Sequence, residues 1–77
     1  MNTYHIHYYG LLADRRGVSE ETIHHRATTP AALYQELFGN GTAPESIRAA
    51  VNDEFVAWEH SLANNDRIAF LPPMSGG

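Results

Sequence analysis

Polar and apolar side chains alternate in the first strand-like segment of the chain. Over Thr3–Tyr9 every second residue is apolar or aromatic, which is the two-residue period of a strand with one buried face. A second strand is predicted at Glu21–Arg26, which contains an adjacent threonine and isoleucine of the β-branched type that strands favour. Between the two, Gly10–Gly17 is predicted to be a loop with Leu11 and Leu12 buried beneath it.

The pattern then changes to the spacing of a helix. Thr28-Thr29-Pro30 supplies a hydroxyl for the N-cap and a proline for the first helical position, where its missing N–H costs nothing. Leu33 and Leu37 lie four residues apart on one face. Gly39 is predicted to end the helix as a left-handed C-cap, and Asn40–Ser46 to be a loop.

The rest of the chain is rich in strand signals. Three strands are predicted, at Ile47–Asn52, Phe55–Trp58 and Arg67–Leu71, with turns at Asn52-Asp53-Glu54 and Asn64-Asn65-Asp66. Asparagine tolerates the left-handed conformations that such turns require. In the last strand Ile68 and Phe70 are predicted to point inward. Pro72-Pro73 then ends it, because proline cannot extend a hydrogen-bonded ladder.

This order of elements predicts an α+β fold. A first hairpin crossed by a helix, with a later strand returning beside the first, is the β-grasp or ubiquitin-like topology. We expect a mixed sheet of four to five strands with one main helix packed on one face, and the last strand inside the sheet. Residues 1–71 would form the domain and residues 72–77 an extended tail that ends in Gly-Gly.

Composition narrows the possible functions. The net charge is −4, and all five basic residues are arginines, so binding to nucleic acid is not expected. Cysteine is absent, which excludes disulfides, thiolate metal sites and a cysteine nucleophile. There is no apolar segment of the length that a membrane span requires and no secretory signal pattern, so we expect a soluble, cytoplasmic protein without a membrane partner.

The tail is the candidate chemical site. Glycine has no Cβ, so Gly76-Gly77 could thread a narrow channel, while Pro72 and Pro73 hold its base in an extended form. A terminal carboxylate with a pKa of roughly 3.5 is ionised and unreactive at neutral pH. Adenylation by ATP followed by sulfide transfer would give a thiocarboxylate, a sulfur nucleophile made without cysteine. A frayed chain end is the alternative interpretation of two glycines taken alone.

The residues before the tail favour the carrier interpretation. Ala49–Val56, Asn65–Pro73 and Gly76-Gly77 resemble the small subunit of molybdopterin synthase, the MoaD family, whose members end in a similar pattern. Tyr8-Tyr9-Gly10 and Gly17 extend the resemblance more weakly. It implies a ubiquitin-like fold and a C-terminal Gly77 that is adenylated, converted to a thiocarboxylate and inserted into the large synthase subunit. Pro72, Pro73, Met74 and Ser75 would occupy the channel of that partner.

The resemblance also implies the partners. A MoeB-like adenylyltransferase related to the ubiquitin activators would use ATP, a sulfurtransferase would supply sulfur, and a MoaE-like large subunit would transfer it to cyclic pyranopterin monophosphate (precursor Z) within a heterotetramer. The chain itself would be non-catalytic and would bind no cofactor. Strand parity predicts that Tyr9, Phe55 and Leu71 point away from the core. These three residues would form a patch for the partner.

Other functions and sites stay open at this stage. His5 and His7 share a strand face near His24-His25, but adjacent histidines on a strand point to opposite faces, so no metal site is predicted. The carrier could serve thiamine or another sulfur pathway. The chain could instead be a ubiquitin-like protein modifier or a plain interaction module, which would not need Gly76-Gly77.

Overall fold

The computed structural model describes residues 1–39 and 46–72. Within these ranges the chain forms five strands and two helices, which are β1 (Asn2–Tyr8), α1 (Leu11–Arg16), β2 (Glu20–His25), α2 (Pro30–Phe38), β3 (Arg48–Val51), β4 (Glu54–Val56) and β5 (Arg67–Leu71). Neither of these helices is long and apolar enough to cross a bilayer. Of the predicted loop Asn40–Ser46, residues 40–45 lie outside the described ranges.

The five strands form one mixed sheet in the order β2-β1-β5-β3-β4. β5 lies at its centre, parallel to β1 and antiparallel to β3. β1 and β2 form an antiparallel hairpin, as do β3 and β4. The β-grasp prediction, with the last strand inside the sheet, is therefore confirmed.

The predicted alternation of the strands is confirmed on the inner face. Tyr4, Ile6 and Tyr8 of β1 are buried, as are Ile68 and Phe70 of β5. The ring of Phe70 is the centre of an aromatic cluster, with ring centroids of Tyr34 at 5.4 Å, Trp58 at 6.0 Å, Tyr8 at 6.4 Å and Phe38 at 6.5 Å. Rings at these separations and angles pack as in well-filled protein cores.

The helix α2 begins and ends as its sequence predicts. The side chain of Thr29 accepts a hydrogen bond from the backbone N–H of Ala32 at 3.2 Å, and Pro30 occupies the first helical position. Gly39 ends the helix with φ at 76° and donates its N–H to the carbonyl of Gln35 at 2.7 Å. Leu33 and Tyr34 pack into the core from this helix.

The predicted loop Gly10–Gly17 is wrong in its middle part, because residues 11–16 form α1. Leu12 is buried against the core, whereas Leu11 is 72% exposed instead of buried. Two leucines in sequence cannot both face the sheet from a helix, since consecutive residues are about 100° apart around its axis. The return strand predicted at Phe55–Trp58 is shorter than expected and ends at Val56.

Candidate functional site

The base of the predicted tail lies at one edge of the sheet. Because β1 and β5 are parallel and Tyr8 pairs with Phe70, the two strands end side by side and the residues that follow them run together. Pro72, the last residue described at this end, is half-buried. Its Cγ atom would lie 3.2 Å from a Cβ atom added at Gly10, so the ring of Pro72 lies close to the backbone of Gly10.

Gly10 has a backbone conformation that L-amino acids rarely adopt, with φ at 57° and ψ at −130°. It also starts α1, since its carbonyl accepts the N–H of Ala13 at 3.1 Å and that of Asp14 at 3.3 Å. The chain therefore leaves β1, turns at Gly10 and enters α1 while keeping contact with Pro72. Glycine satisfies both the conformation and the close approach.

A polar cluster fixes the other end of α1. Arg16 donates two hydrogen bonds to Oε2 of Glu21, from Nε at 2.9 Å and from Nη2 at 2.7 Å, and the hydroxyl of Tyr8 donates to the same oxygen at 2.6 Å. Nη1 of Arg16 also donates to the carbonyl of Leu37 in α2 at 3.2 Å. The cluster joins α1 to β1, β2 and α2. It was not predicted, because only the strand register brings Tyr8 and Glu21 together.

These contacts change the ionisation of all three groups. Burial raises the pKa of Tyr8 above its ordinary value, and the hydrogen bond to Glu21 and its charge add to this. For Glu21, burial acts to raise the pKa, but the hydrogen bonds from Tyr8 and Arg16 and the charge of Arg16 outweigh it, so the pKa is lowered. The hydrogen bond to Glu21 raises the pKa of Arg16. At neutral pH the cluster holds a charged pair bridged by a neutral phenol.

The structure brings together the three residues of the predicted patch. Tyr9 is 48% exposed and Phe55 is 64% exposed, Leu71 is half-buried, and all three line one shallow depression on the outer face of the sheet. The guanidinium of Arg48 lies 4.7 Å above the ring centroid of Phe55. The patch is thus next to Pro72, where the tail begins.

An ion pair flanks this patch. Nη2 of Arg67 lies 3.0 Å from Oδ2 of Asp53, which follows Asn52 in the β3–β4 turn. Asn52 has φ at 51° and Asp53 has φ at 72°. The side chain of Asn52 accepts the backbone N–H of Arg67 at 3.0 Å, so the turn is tied to the start of β5.

The remaining predicted site residues cannot be placed in the same way. Pro73, Met74, Ser75, Gly76 and Gly77 lie outside the described residues.

The histidines are distributed over both sides of the β1–β2 hairpin. Nδ1 of His24 lies 2.9 Å from the hydroxyl of Thr3, and Nδ1 of His5 lies 3.2 Å from that of Thr22. His25 instead lies towards α2, where its Nε2 is 3.4 Å from a carboxylate oxygen of Glu36. Within residues 1–39 and 46–72 no three acidic or histidine side chains are grouped so that they could hold a metal ion.

Several proteins of known sequence or structure are similar to this chain. The sulfur carrier subunit of molybdopterin synthase from Escherichia coli (strain K12) is 45% identical over 31 residues, which is 40% of this chain and 38% of that protein. The aligned segment thus spans well under two thirds of this relative.

Solved structures share the fold over nearly the whole length. Small archaeal modifier protein 1 from Haloferax volcanii has a TM-score of 0.83 at 18% identity and covers 96% of this chain and 100% of its own. A Pyrococcus furiosus protein assigned as molybdopterin converting factor, subunit 1, has a TM-score of 0.79 at 22% identity with the same coverage. At such identities the likeness concerns the fold alone.

The family assignment comes from the sequence itself. The model of the ThiS family matches residues 6–77, which include all five strands apart from the start of β1, both helices and the terminal Gly-Gly. The chain therefore belongs to the ThiS family of ubiquitin-like sulfur carriers.

Proposed function

We propose that this chain is the sulfur carrier of molybdopterin synthesis and that Gly77 is its reactive residue. The observation that carries the proposal is that the central strand β5 runs directly into the tail sequence, with Pro72 held against Gly10. A rigid strand in the middle of a sheet is a firm base for a group that must enter another protein. The 31-residue similarity to the E. coli carrier subunit supports the choice of pathway.

The proposed chemistry takes place in three steps. The carboxylate of Gly77 attacks the α-phosphorus of ATP on a MoeB-like activating enzyme, and pyrophosphate leaves. Sulfide delivered by a sulfurtransferase system then attacks the acyl carbon and AMP leaves, which gives a thiocarboxylate. On the large subunit this anionic sulfur attacks a side-chain carbon of cyclic pyranopterin monophosphate and displaces an oxygen substituent from it, and hydrolysis of the acyl–sulfur bond then leaves the sulfur on the pterin and regenerates the carboxylate. Two such transfers would build the dithiolene.

In this proposal the chain contributes no acid, base or bound cofactor. Its folded part, residues 1–71, presents the tail of residues 72–77, and Gly76 lets the terminus pass through a channel that side chains would block. Pro73, Met74 and Ser75 would occupy that channel. ATP is used by the activating partner, which fits a cytoplasmic cycle.

Docking would use the patch beside the tail. Tyr9, Phe55 and Leu71 offer apolar and aromatic surface of the kind enriched in interface centres. A MoaE-like large subunit that covers this patch would bring its channel to Pro72. A heterotetramer with two tails in two active sites is the assembly we expect.

Two alternatives predict different products. A thiamine-pathway carrier would form the same thiocarboxylate but would restore thiamine synthesis in deficient cells instead of molybdoenzyme activity. A protein modifier would form isopeptide bonds with lysines of other proteins. The modifier alternative is supported by the fold shared with small archaeal modifier protein 1.

The decisive experiment is intact mass spectrometry after co-expression with a MoeB-like enzyme and a sulfurtransferase. We expect one oxygen to be replaced by sulfur, with the change localised to Gly77 by a thiol-selective alkylator, because oxidation of Met1 or Met74 gives a nearly equal shift. The charged carrier should then convert precursor Z when the large subunit is added. A chain lacking Gly76-Gly77 that still restores molybdoenzyme activity would contradict the proposal.

A further inference from the structure

Every basic residue of the chain is an arginine, and lysine is absent from all 77 residues. The five are Arg15, Arg16, Arg26, Arg48 and Arg67. Lysine and arginine side chains differ in their reactivity towards an activated carboxyl group. Lysine has a pKa of about 10.4 and releases a nucleophilic amine, whereas a guanidinium stays protonated and is a poor nucleophile.

Two of these arginines lie within the reach of the tail. Arg48 pairs with Leu71 in the β3–β5 ladder, and neighbouring strands are about 4.8 Å apart. Arg67 is in β5 itself, at the other end of the strand that leads to the tail. Both are exposed, so a lysine at either position would have its amine in solvent, beside the base of the tail at position 48 and about 17 Å from it at position 67.

The tail is long enough to return to these positions. Fully extended, the six residues that follow Leu71 reach about 20 Å from it. That is several times the distance between Leu71 and its ladder partner Arg48. A linking segment of this length corresponds to an effective concentration of its end group in the millimolar range near its base.

Arg26 lies at the opposite end of the sheet. Arg26 follows His25, which pairs with Asn2, so it lies beside Met1. Met1 is nine residues before Gly10 along the direction of β1, and Gly10 lies against Pro72. At about 3.3 Å per residue this places it roughly 30 Å from Pro72. The five residues after Pro72 reach at most about 17 Å, and the four-carbon stem of a lysine cannot span the difference.

We propose that the cations around the tail base are arginines because a lysine there would capture the activated Gly77 of its own chain. This inference rests on the proposed function. In the capture reaction the amine nitrogen attacks the acyl carbon of the adenylate and the carbon–oxygen bond to AMP breaks. AMP leaves with the electron pair, the ammonium proton passes to water, and an internal amide remains. An all-arginine surface reserves the activated carbonyl for nucleophiles of other molecules.

The test compares Arg48→Lys with Arg26→Lys, which make the same chemical change near the tail and far from it. Each folded variant is incubated with the activating enzyme, ATP and magnesium without a sulfur donor. Intact mass then detects the loss of one water molecule, and peptide mapping locates the new amide. We expect at least about tenfold more internal amide in Arg48→Lys than in Arg26→Lys, in line with the higher effective concentration near the tail. Any amide in Arg26→Lys should form between two chains, so its yield should fall when the chains are diluted before the reaction. The amide yield should rise about tenfold per pH unit near neutrality, as the free amine does.

A parallel reaction with hydroxylamine separates this proposal from the proposed function. Hydroxylamine converts the adenylate to a hydroxamate at Gly77, which measures activation in each chain and normalises the amide yield. Hydroxamate without internal amide in both Arg48→Lys and a second variant within reach of the tail, Arg67→Lys, overturns the inference while the carrier function stands. Equal amide in the near and far variants also overturns it. If the unsubstituted chain forms no hydroxamate, the carrier function fails and the inference fails with it.

Discussion

The two faces of the sheet are built from the same alternating strands but serve different purposes. On the inner face, Phe70 is fully buried and touches four other aromatic rings or their edges. On the outer face, Phe55 is 64% exposed and the guanidinium of Arg48 lies 4.7 Å from its ring centroid. An aromatic ring stabilises the fold in the first position, whereas in the second it is available to another molecule. Residue type alone therefore does not separate a core ring from a surface ring, but residue type together with strand parity does.

The largest effect is expected from breaking the inner face. Phe70→Ala removes the ring at the centre of the aromatic cluster and should lower the free energy of unfolding by about 3–5 kcal/mol, because it leaves a cavity that its neighbours fill only in part. In Phe55→Ala the loss should be about 0.5 kcal/mol, mainly the contact with Arg48. Urea denaturation followed by Trp58 fluorescence measures both. Similar losses in the two variants would show that the outer ring is part of the core.

How far the sequence predicts this fold depends on how local the signals are. The strand β5 and the helix α2 were predicted within about one residue, because alternation, a threonine cap and a glycine C-cap all act over a few positions. The helix α1 was missed. It is six residues long, too short for apolar periodicity, and its stability comes from Leu12 in the core and from Arg16 on Glu21.

The candidate site also contains one part that local signals predict and one part that they do not. Parity along three strands was enough to select Tyr9, Phe55 and Leu71, which the fold gathers around one depression. The contact between Gly10 and Pro72 could not be predicted, because it depends on two strand ends being parallel neighbours and on a positive φ. Flanking glycines at positions 10 and 17 were the available signal for a short helix in between.

The second-largest effect is expected at Gly10, at the edge of the sheet where the tail begins. Gly10→Ala should lower the free energy of unfolding by about 1–3 kcal/mol, because an L-residue is strained at this combination of φ and ψ, and by a further amount because its Cβ presses on Pro72. Gly17→Ala is a reference for left-handed strain without a contact, since Gly17 has φ at 80° and ψ at 4° and no atom within 4 Å of an added Cβ.

The contact can be isolated with a second substitution. Combining Gly10→Ala with Pro72→Ala should recover the loss caused by the Cβ contact but not the backbone strain, as measured by thermal or urea unfolding of the unsubstituted chain, the two single variants and the double variant. If Pro72→Ala recovers nothing, Pro72 does not hold the base of the tail against Gly10.

The smallest effect compares two adjacent carboxylates of β2 that face opposite sides. Glu21 lies on the inner side with Arg16 and Tyr8, whereas Glu20 lies on the outer side, 73% exposed and 3.7 Å from His7. The pKa of Glu21 is lowered in the folded state, so its ionised form stabilises the fold at pH values above the unfolded pKa. That contribution is lost as the pH falls through the lowered folded pKa.

Glu21→Gln should therefore cost about 1 kcal/mol at neutral pH, the order of one charge-assisted hydrogen bond, and progressively less in acid. Urea unfolding of both chains between neutral and strongly acidic pH measures this difference. Glu20→Gln should change stability by no more than about 0.5 kcal/mol across the same range, as exposed pairs do. A Glu21→Gln cost that stays constant into strong acid would mean that the carboxylate charge does not hold α1 to the sheet.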